Sequence, residues 1–169
     1  MIMRLSLDLP DDSEFIRTAR LLSQCLLDDI KVTKDIVADV ETIVGELCSN
    51  VVRHAHSTTH HYQVTMDYYQ PKVVIIVKDT GEGFDMNGVK PVGTSRPDGI
   101  GGQRIGGYGL SLLEGLSDKL DFTMTQPHGT TVIVEKNLRF ETEEDARKAS
   151  LRDALHNGDP NVVGQAQSV

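Results

Sequence analysis

Residues 73–83 read Val-Val-Ile-Ile-Val-Lys-Asp-Thr-Gly-Glu-Gly and combine the longest apolar run of the chain with an aspartate and two glycines. The five apolar residues 73–77 predict a strand that is covered on both faces and lies centrally in a sheet. Asp79 follows that strand directly, and its carboxylate needs a hydrogen-bond donor because an unpaired carboxylate near a core is costly. The amino group of an adenine is one candidate donor, and Gly81 and Gly83 would let the backbone approach such a ligand closely. An ordinary turn that closes a strand has the same residues, so this stretch alone leaves both interpretations open.

Hydrophobic periodicity on either side of this stretch predicts further strands and helices. The predicted strands cover residues 1–9, 62–69, 72–78, 119–126 and 130–135. The predicted helices cover residues 14–29, 34–56, 108–117 and 142–157. Asp11, Asp12 or Ser13 is expected to cap the first helix, Thr33 the second and Thr142 the last. This order indicates an α+β two-layer sandwich, with the helices on one face of a mixed but mostly antiparallel sheet.

Composition excludes several classes of function. The chain has 169 residues, which suits one domain, and its 17 Lys and Arg against 25 Asp and Glu give a formal net charge of −8. An acidic chain without a basic run is a poor nucleic-acid binder, since phosphate contacts supply most of the affinity there. No apolar run approaches the roughly 20 residues of a membrane span, so we expect no membrane association. Cys25 and Cys48 form no C-x-x-C motif, which favours the cytoplasm.

Glu46 and Asn50 form a polar pair on the second predicted helix. Their spacing of four residues places them on one face, at the edge of its apolar stripe. A carboxylate and a carboxamide at the rim of a core can polarise a nucleophile and bind Mg²⁺ through oxygen. The same spacing is common in ordinary solvated pairs, so the pair is weak evidence by itself.

The segment between residues 81 and 109 holds ten of the fifteen glycines. Such a long glycine-rich loop in a compact domain is usually functional or disordered. Gly107, Gly109 and Leu110 lead from it into a predicted helix, whose free N–H groups and positive dipole end favour a phosphate. The chain contains neither a Walker motif nor a G-x-G-x-x-G motif, and a flexible hairpin remains an alternative for this segment.

Four histidines and a cysteine near the second helix raise the question of a metal site. The histidines are His54, His56, His60 and His61. No cysteine or carboxylate joins them at the spacing of a structural zinc site, so solvated helix-end and turn histidines are the favoured interpretation. Cys48 has no base at catalytic spacing and is interpreted as a small buried apolar residue.

Taken in order along the chain, these motifs are far more specific than any one of them. Together they resemble the Bergerat fold of the histidine-kinase-like ATPases. Residues 46–55, Glu-Leu-Cys-Ser-Asn-Val-Val-Arg-His-Ala, resemble the N-box of the small anti-sigma-factor serine/threonine kinases. Residues 77–85 resemble their second box, and residues 128–132, His-Gly-Thr-Thr-Val, resemble their final Gly-Thr hairpin. The resemblance covers residues 1–138.

The resemblance implies ATP and Mg²⁺ as cofactors and a role for each motif residue. Asn50 would coordinate Mg²⁺ that bridges the ATP phosphates, and Glu46 would be the catalytic base. Asp79 would accept a hydrogen bond from the adenine amino group, with Gly81 and Gly83 of the same motif in the cofactor-binding set.

The glycine segment and the final hairpin complete the implied site. Gly107, Gly109 and Leu110 would bring backbone N–H groups to the phosphates. Thr130 would support the adenine pocket, and Arg104 is a candidate for contact with the γ-phosphate.

The resemblance also divides the chain into an ATP-binding kinase domain over residues 1–138, an additional C-terminal helix over 139–157 and a flexible tail over 158–169. Residues 86–106 would form the ATP lid, although residues 95–104 are richer in glycine than we expect for this family.

The implied function is that of an anti-sigma regulatory factor. It would bind a sigma factor or a similar regulator and phosphorylate a serine of an antagonist of the STAS (sulphate transporter and anti-sigma antagonist) class. Homodimers are common among the proteins that the chain resembles. The alternative is a nucleotide-gated binding module without kinase turnover. A sensor histidine kinase is disfavoured because the chain has no room for a separate dimerisation helix.

Overall fold

A computed structural model describes residues 3–55, 59–81, 109–124 and 129–156. The strands are β1 (Met3–Pro10), β2 (His61–Tyr68), β3 (Lys72–Lys78), β4 (Lys119–Met124) and β5 (Thr130–Asn137). The helices are α1 (Glu14–Asp29), α2 (Lys34–His54), α3 (Gly109–Leu116) and α4 (Glu143–His156). Every one of these elements is predicted by the sequence pattern, with ends that differ by a residue or two.

The strands form one sheet in the order β1-β2-β3-β5-β4, so β3 is central, as its apolar run predicts. The sequence pattern predicts a mixed but mostly antiparallel sheet. All ladders between the described strands are antiparallel. The predicted α+β architecture is therefore confirmed, while no parallel pair occurs among the described strands.

The hydrophobic core lies between the sheet and helices α1, α2 and α3. The inward residues of β3 are fully buried, namely Val73, Ile75 and Val77. The apolar stripe predicted for α2 is buried against the same core, and it consists of Ile36, Val40, Ile43, Val44, Leu47 and Val51. Each fully buried side chain of this kind stabilises the fold by about 1.5–3 kcal/mol relative to an exposed one.

The expectation that β3 is buried on both faces is only half right. Val74 and Ile76 point away from the helices and are half-buried, because the described helices do not cover that face as they cover the other. The outer face of the sheet also carries an ion pair. Arg4 donates from Nε and from Nη2 to the two carboxylate oxygens of Asp67, its cross-strand neighbour, at 2.6 and 2.7 Å.

The cap assignments are partly corrected. Asp12 accepts a hydrogen bond from the Glu14 N–H at 3.0 Å, so the side chain of Asp12, and not that of Ser13, caps α1. Thr33 makes no side-chain cap hydrogen bond on α2. Its backbone N–H donates to the Arg139 carbonyl instead, since the chain after β5 runs beside this turn. Thr142 caps α4 as predicted, and its hydroxyl accepts from the Asp145 N–H at 3.1 Å.

No helix in the described ranges has the length and apolar character needed to span a bilayer.

Candidate functional site

Asp79 lies where the end of β3 meets the start of β5. Its Oδ1 accepts hydrogen bonds from the Gly81 N–H at 2.8 Å and from the Thr130 N–H at 3.3 Å. Its own N–H donates to the Thr130 carbonyl at 3.0 Å. The carboxylate is half-buried and held by backbone groups on both sides. Asp79 and Thr130, which are far apart in the sequence, are thus brought together as expected.

Two glycines let the backbones around Asp79 approach one another. A Cβ on Gly81 would overlap the carbonyl oxygen of Ala55, the residue that follows α2. A Cβ on Gly129 would overlap the Asp79 carbonyl oxygen, and Gly129 has φ +123°, a conformation that side chains rarely adopt. The ends of α2, β3 and β5 therefore converge on this carboxylate.

Glu46 and the first residue of α3 are in direct contact. A Cβ on Gly109 would overlap Glu46 Oε1, so the glutamate lies against the N-terminus of α3. The first N–H groups of a helix have no carbonyl partner within the helix, and a helix N-terminus has a positive partial charge, so this end of α3 favours an anion. Asn50 is one turn further along α2 and, like Glu46, is half-buried. Leu110 occupies the second position of α3.

Comparison with known proteins decides the family. A model of the histidine kinase-like ATPase domain matches residues 9–136 of the chain. The chain belongs to this family. The resemblance inferred from the three motifs is thereby confirmed, and all described parts of the site lie within the matched range.

Several curated relatives of this ATPase domain carry one name. The serine-protein kinase RsbW of Halalkalibacterium halodurans is 30% identical over 139 residues, covering 80% of this chain and 83% of that protein. The serine-protein kinase RsbW of Listeria monocytogenes is 28% identical over 155 residues, covering 87% and 96%. A crystal structure of the RsbU and RsbW domains of a Mycobacterium tuberculosis protein has a TM-score of 0.60 at 21% identity. It matches 83% of this chain and 35% of that longer one, which supports the fold.

The described part of the ATPase domain carries groups that suit a nucleotide. Gly81 and Gly109 let neighbouring protein groups approach the backbone closely, because a side chain at either position would collide with them. A fixed carboxylate stands at the end of β3, and a helix N-terminus lies beside Glu46. These features suit a purine at one end and phosphates at the other. Gly83, Arg104 and Gly107, together with the expected lid over residues 86–106, lie outside the described residues.

Sequence reasoning missed a cleft on the other side of Glu46. It lies between α1 and α2, has a volume of about 280 Å³, and is lined by Ile16, Arg20, Thr42, Gly45, Glu46 and Ser49. The signal that could have revealed it is Gly45, a glycine inside a long helix. Such a residue costs up to about 1 kcal/mol relative to alanine and usually has a packing or functional reason.

The remaining candidate residues from the sequence are Cys48 and the histidines near the end of α2. Burial raises the pKa of the Cys48 thiol to about 11, so it is protonated at neutral pH and behaves as a small apolar residue. His60 and His61 lie beside carboxylates of Asp11 and Asp8, at 3.5 and 3.0 Å. Within the described ranges, no group of three or more His, Cys, Asp or Glu side chains is arranged to hold a metal ion. His56 lies outside the described residues.

Proposed function

We propose that this chain is an ATP- and Mg²⁺-dependent protein serine kinase of the anti-sigma type. It binds a sigma factor or a similar regulator in the cytoplasm and phosphorylates a serine of a STAS-class antagonist. The observation that carries the proposal is the contact between Glu46 and the N-terminus of α3, because a helix N-terminus is the kind of element that favours a phosphate and the carboxylate lies against it. The kinase prediction from sequence is borne out by relatives that are named serine-protein kinases.

Each group of the site has a distinct task in binding. Asp79 accepts from the adenine amino group, while the backbone N–H groups of Gly81 and Thr130 hold the carboxylate in position. Asn50 supplies an amide oxygen, the kind of ligand that Mg²⁺ prefers.

The start of α3 would hold the phosphates. The N–H groups of Gly107, Gly109 and Leu110 would bind them, and Arg104 would contact the γ-phosphate. Gly83 would contribute beside the adenine ring.

The chemistry requires one proton acceptor and accurate positioning. When bound, ATP would supply the phosphoryl group, and Mg²⁺ would neutralise the charge on its oxygens. The serine oxygen forms a bond to the γ-phosphorus, and the bond between the γ-phosphorus and the β,γ-bridging oxygen breaks. ADP then leaves. The proton of the serine hydroxyl passes to the Glu46 carboxylate. A positioned general base of this kind contributes about 10²- to 10⁴-fold to the rate.

This proposal is tested by phosphate transfer to a protein. Each STAS-domain protein encoded in the same genome is purified and incubated with the wild-type protein, Mg²⁺ and ATP labelled in the γ-phosphate. We expect one of them to gain label on serine, and Glu46→Gln to lower the transfer rate at least about 100-fold with ATP affinity unchanged. Glu114→Gln, the same change at an exposed position of α3, is the matched control and should transfer at the wild-type rate.

Two results would contradict the proposal. If Glu46→Gln transferred phosphate as fast as wild type, Glu46 would not be the base. If ATP changed partner binding but no partner gained phosphate, the chain would be the nucleotide-gated binding module instead.

A further inference from the structure

Lys136 of β5 joins α2 to the end of α3. Its Nζ lies 2.7 Å from Asp39 Oδ2 on α2, and it donates to the carbonyl of Leu116, the last residue of α3, also at 2.7 Å. The lysine side chain is only 13% exposed, so the elements that it connects largely enclose it. We propose that Lys136 is a positioning residue of the kinase, which fixes α3 along α2 so that the N-terminus of α3 meets Glu46. The inference rests on the proposed kinase function and concerns a residue that contacts neither nucleotide nor acceptor in that proposal.

The contacts between α2 and α3 have the same spacing on both helices. Asp39 and Glu46 are seven residues apart on α2. Gly109 and Leu116, the two ends of α3, are also seven residues apart. Seven residues make about two turns and span about 10 Å, so Asp39 and Glu46 lie on one face of α2. Since Gly109 contacts Glu46 and Leu116 is linked to Asp39 through Lys136, α3 runs antiparallel to α2 and is held at both ends.

The C-terminus of α3 needs a cation that the helix does not supply. The last carbonyl groups of a helix have no N–H partner within it and carry a negative partial charge, which a nearby cation stabilises. The last turn of α3, residues 113–116, reads Leu-Glu-Gly-Leu and has an acidic side chain but no basic one. Lys136 brings the missing cation from β5.

The position of α3 depends on its neighbours, because the helix is short. It has eight residues, whereas an isolated helix of fewer than about 12–15 residues is marginal in water. Of these eight residues only Leu113 is buried. A helix that enters the core with one side chain can shift along its neighbour unless a further contact fixes it.

The backbone of β5 holds the turn after α3 but does not connect it to α2. The Asp118 N–H donates to the Glu135 carbonyl at 2.9 Å, and the Asn137 N–H donates to Asp118 Oδ2 at 2.6 Å. These bonds attach the turn to the sheet. Lys136 extends the attachment to Asp39, on the helix that carries Glu46. Without the ammonium, α3 would stay on the sheet but could move relative to α2, and a movement of about 1 Å can lower a rate roughly 100-fold.

Removal of the ammonium tests the inference by transfer kinetics. Lys136→Met keeps an unbranched apolar side chain, and Lys136→Arg keeps the cation. The probe is the STAS-domain protein that the wild type labels, at a temperature where circular dichroism shows each variant to be folded. We expect Lys136→Met to lower kcat at least about tenfold, with the KM for that protein within about twofold of wild type, and Lys136→Arg to restore most of the rate.

Lys72→Met is the matched control. Lys72 pairs with Glu135 of the same strand, but on the outer face of the sheet. Its loss removes an ion pair of β5 without removing the link between α2 and α3, so kcat and KM should both stay at the wild-type values.

A double variant shows whether Lys136 acts through Glu46. Residues that act as a unit have effects on the rate that do not add. Glu46→Gln already removes the proton acceptor, so Lys136→Met in that background should lower the residual rate by less than about twofold. A further tenfold loss would mean that Lys136 acts by another route, which would overturn the inference.

Hydrogen exchange provides a measurement that does not depend on kinase activity. In the protein without nucleotide, we expect Lys136→Met to speed exchange of the backbone amides in the last turn of α3 about tenfold, and Lys72→Met to leave it unchanged. Mass spectrometry of the peptide that contains α3 measures both.

The outcomes separate the inference from the function on which it rests. If the wild type labelled a STAS-domain protein and folded Lys136→Met labelled it with the same kcat, the inference alone would fail, even if that variant melted at a lower temperature. Wild-type exchange of α3 in Lys136→Met would likewise overturn it. If the wild type labelled no STAS-domain protein, the kinase proposal would fail first, and the positioning role would fail with it.

Discussion

The position of the Glu46 carboxylate depends on a neighbour that has no side chain. Gly109 begins α3 directly against Glu46 Oε1, so a methyl group there must displace the carboxylate or the helix. A displacement of about 1 Å can lower a rate roughly 100-fold, because the proton acceptor then misses the reacting hydroxyl. Gly109 therefore matters through Glu46 as well as through its own N–H group.

Gly109→Ala is expected to lower the rate of serine phosphorylation roughly 100-fold, because the added Cβ pushes Glu46 aside. The Gly109 N–H is retained, so the affinity for Mg²⁺-ATP should fall much less than the rate. Steady-state transfer kinetics and calorimetry on the same preparation measure the two effects. Gly115→Ala is the control, since its Cβ enters open space. Equal rates for Gly109→Ala and wild type would show that Glu46 does not need this contact.

Two cysteines in different surroundings give a second test at this scale. Cys48 is buried with its pKa raised to about 11, while Cys25 is exposed on α1. At pH 8 only about one Cys48 thiol in a thousand is ionised, and the thiolate is the reactive form. We expect iodoacetamide to modify Cys25 rapidly and Cys48 only after denaturation, as read by mass spectrometry. The control is the folded Cys25→Ser variant, in which only Cys48 remains. If iodoacetamide modified Cys48 in this variant as fast as it modifies Cys25 in the wild type, Cys48 would not be buried.

At the scale of elements, sequence pattern predicted the order and type of every described helix and strand. It could not show how the C-terminal segment is attached, because that depends on contacts between distant elements. Phe140 pairs with Val32, and the Glu141 N–H donates to the Lys31 carbonyl. The segment after β5 is thus tied to the turn between α1 and α2, and α4 begins beside the end of α1.

Ala149 is the buried contact of α4, and it lines a small cavity with Asp29 and Ile30 at the end of α1. Ala149→Asp would force a charged side chain into the space that a buried methyl group fills, so we expect α4 to detach locally. Trypsin should then cleave within α4 about ten times faster than in wild type, a change that corresponds to roughly 1.4 kcal/mol. Ser150→Asp is the control because Ser150 is exposed. Unchanged cleavage in Ala149→Asp would mean that α4 does not depend on this contact.

At the scale of the whole molecule, the site is assembled from residues that lie far apart along the chain. Glu46, Asp79 and Thr130 could each be proposed as site residues from sequence, since each belongs to a motif with a chemical reason for its residue type. The order of those motifs also indicated the family. The α1–α2 cleft could not be predicted, because periodicity shows which face of a helix is apolar and not how closely Arg20 approaches Gly45.

The proposed kinase activity requires that Asp79 hold the base of a nucleotide. An asparagine at this position keeps one oxygen for the Gly81 and Thr130 N–H groups and replaces the other with a donating amide nitrogen. The fold should therefore survive, while the adenine amino group would meet a donor instead of an acceptor. Asp121→Asn makes the same change on the exposed part of β4 and is the matched control.

The most direct test is calorimetric titration of Mg²⁺-ATP into the wild type, Asp79→Asn and Asp121→Asn. We predict micromolar binding by the wild type and Asp121→Asn, and a loss of at least tenfold in affinity for a folded Asp79→Asn. Wild-type affinity in Asp79→Asn, or no binding by the wild type, would contradict the assignment of an ATP site at the end of β3.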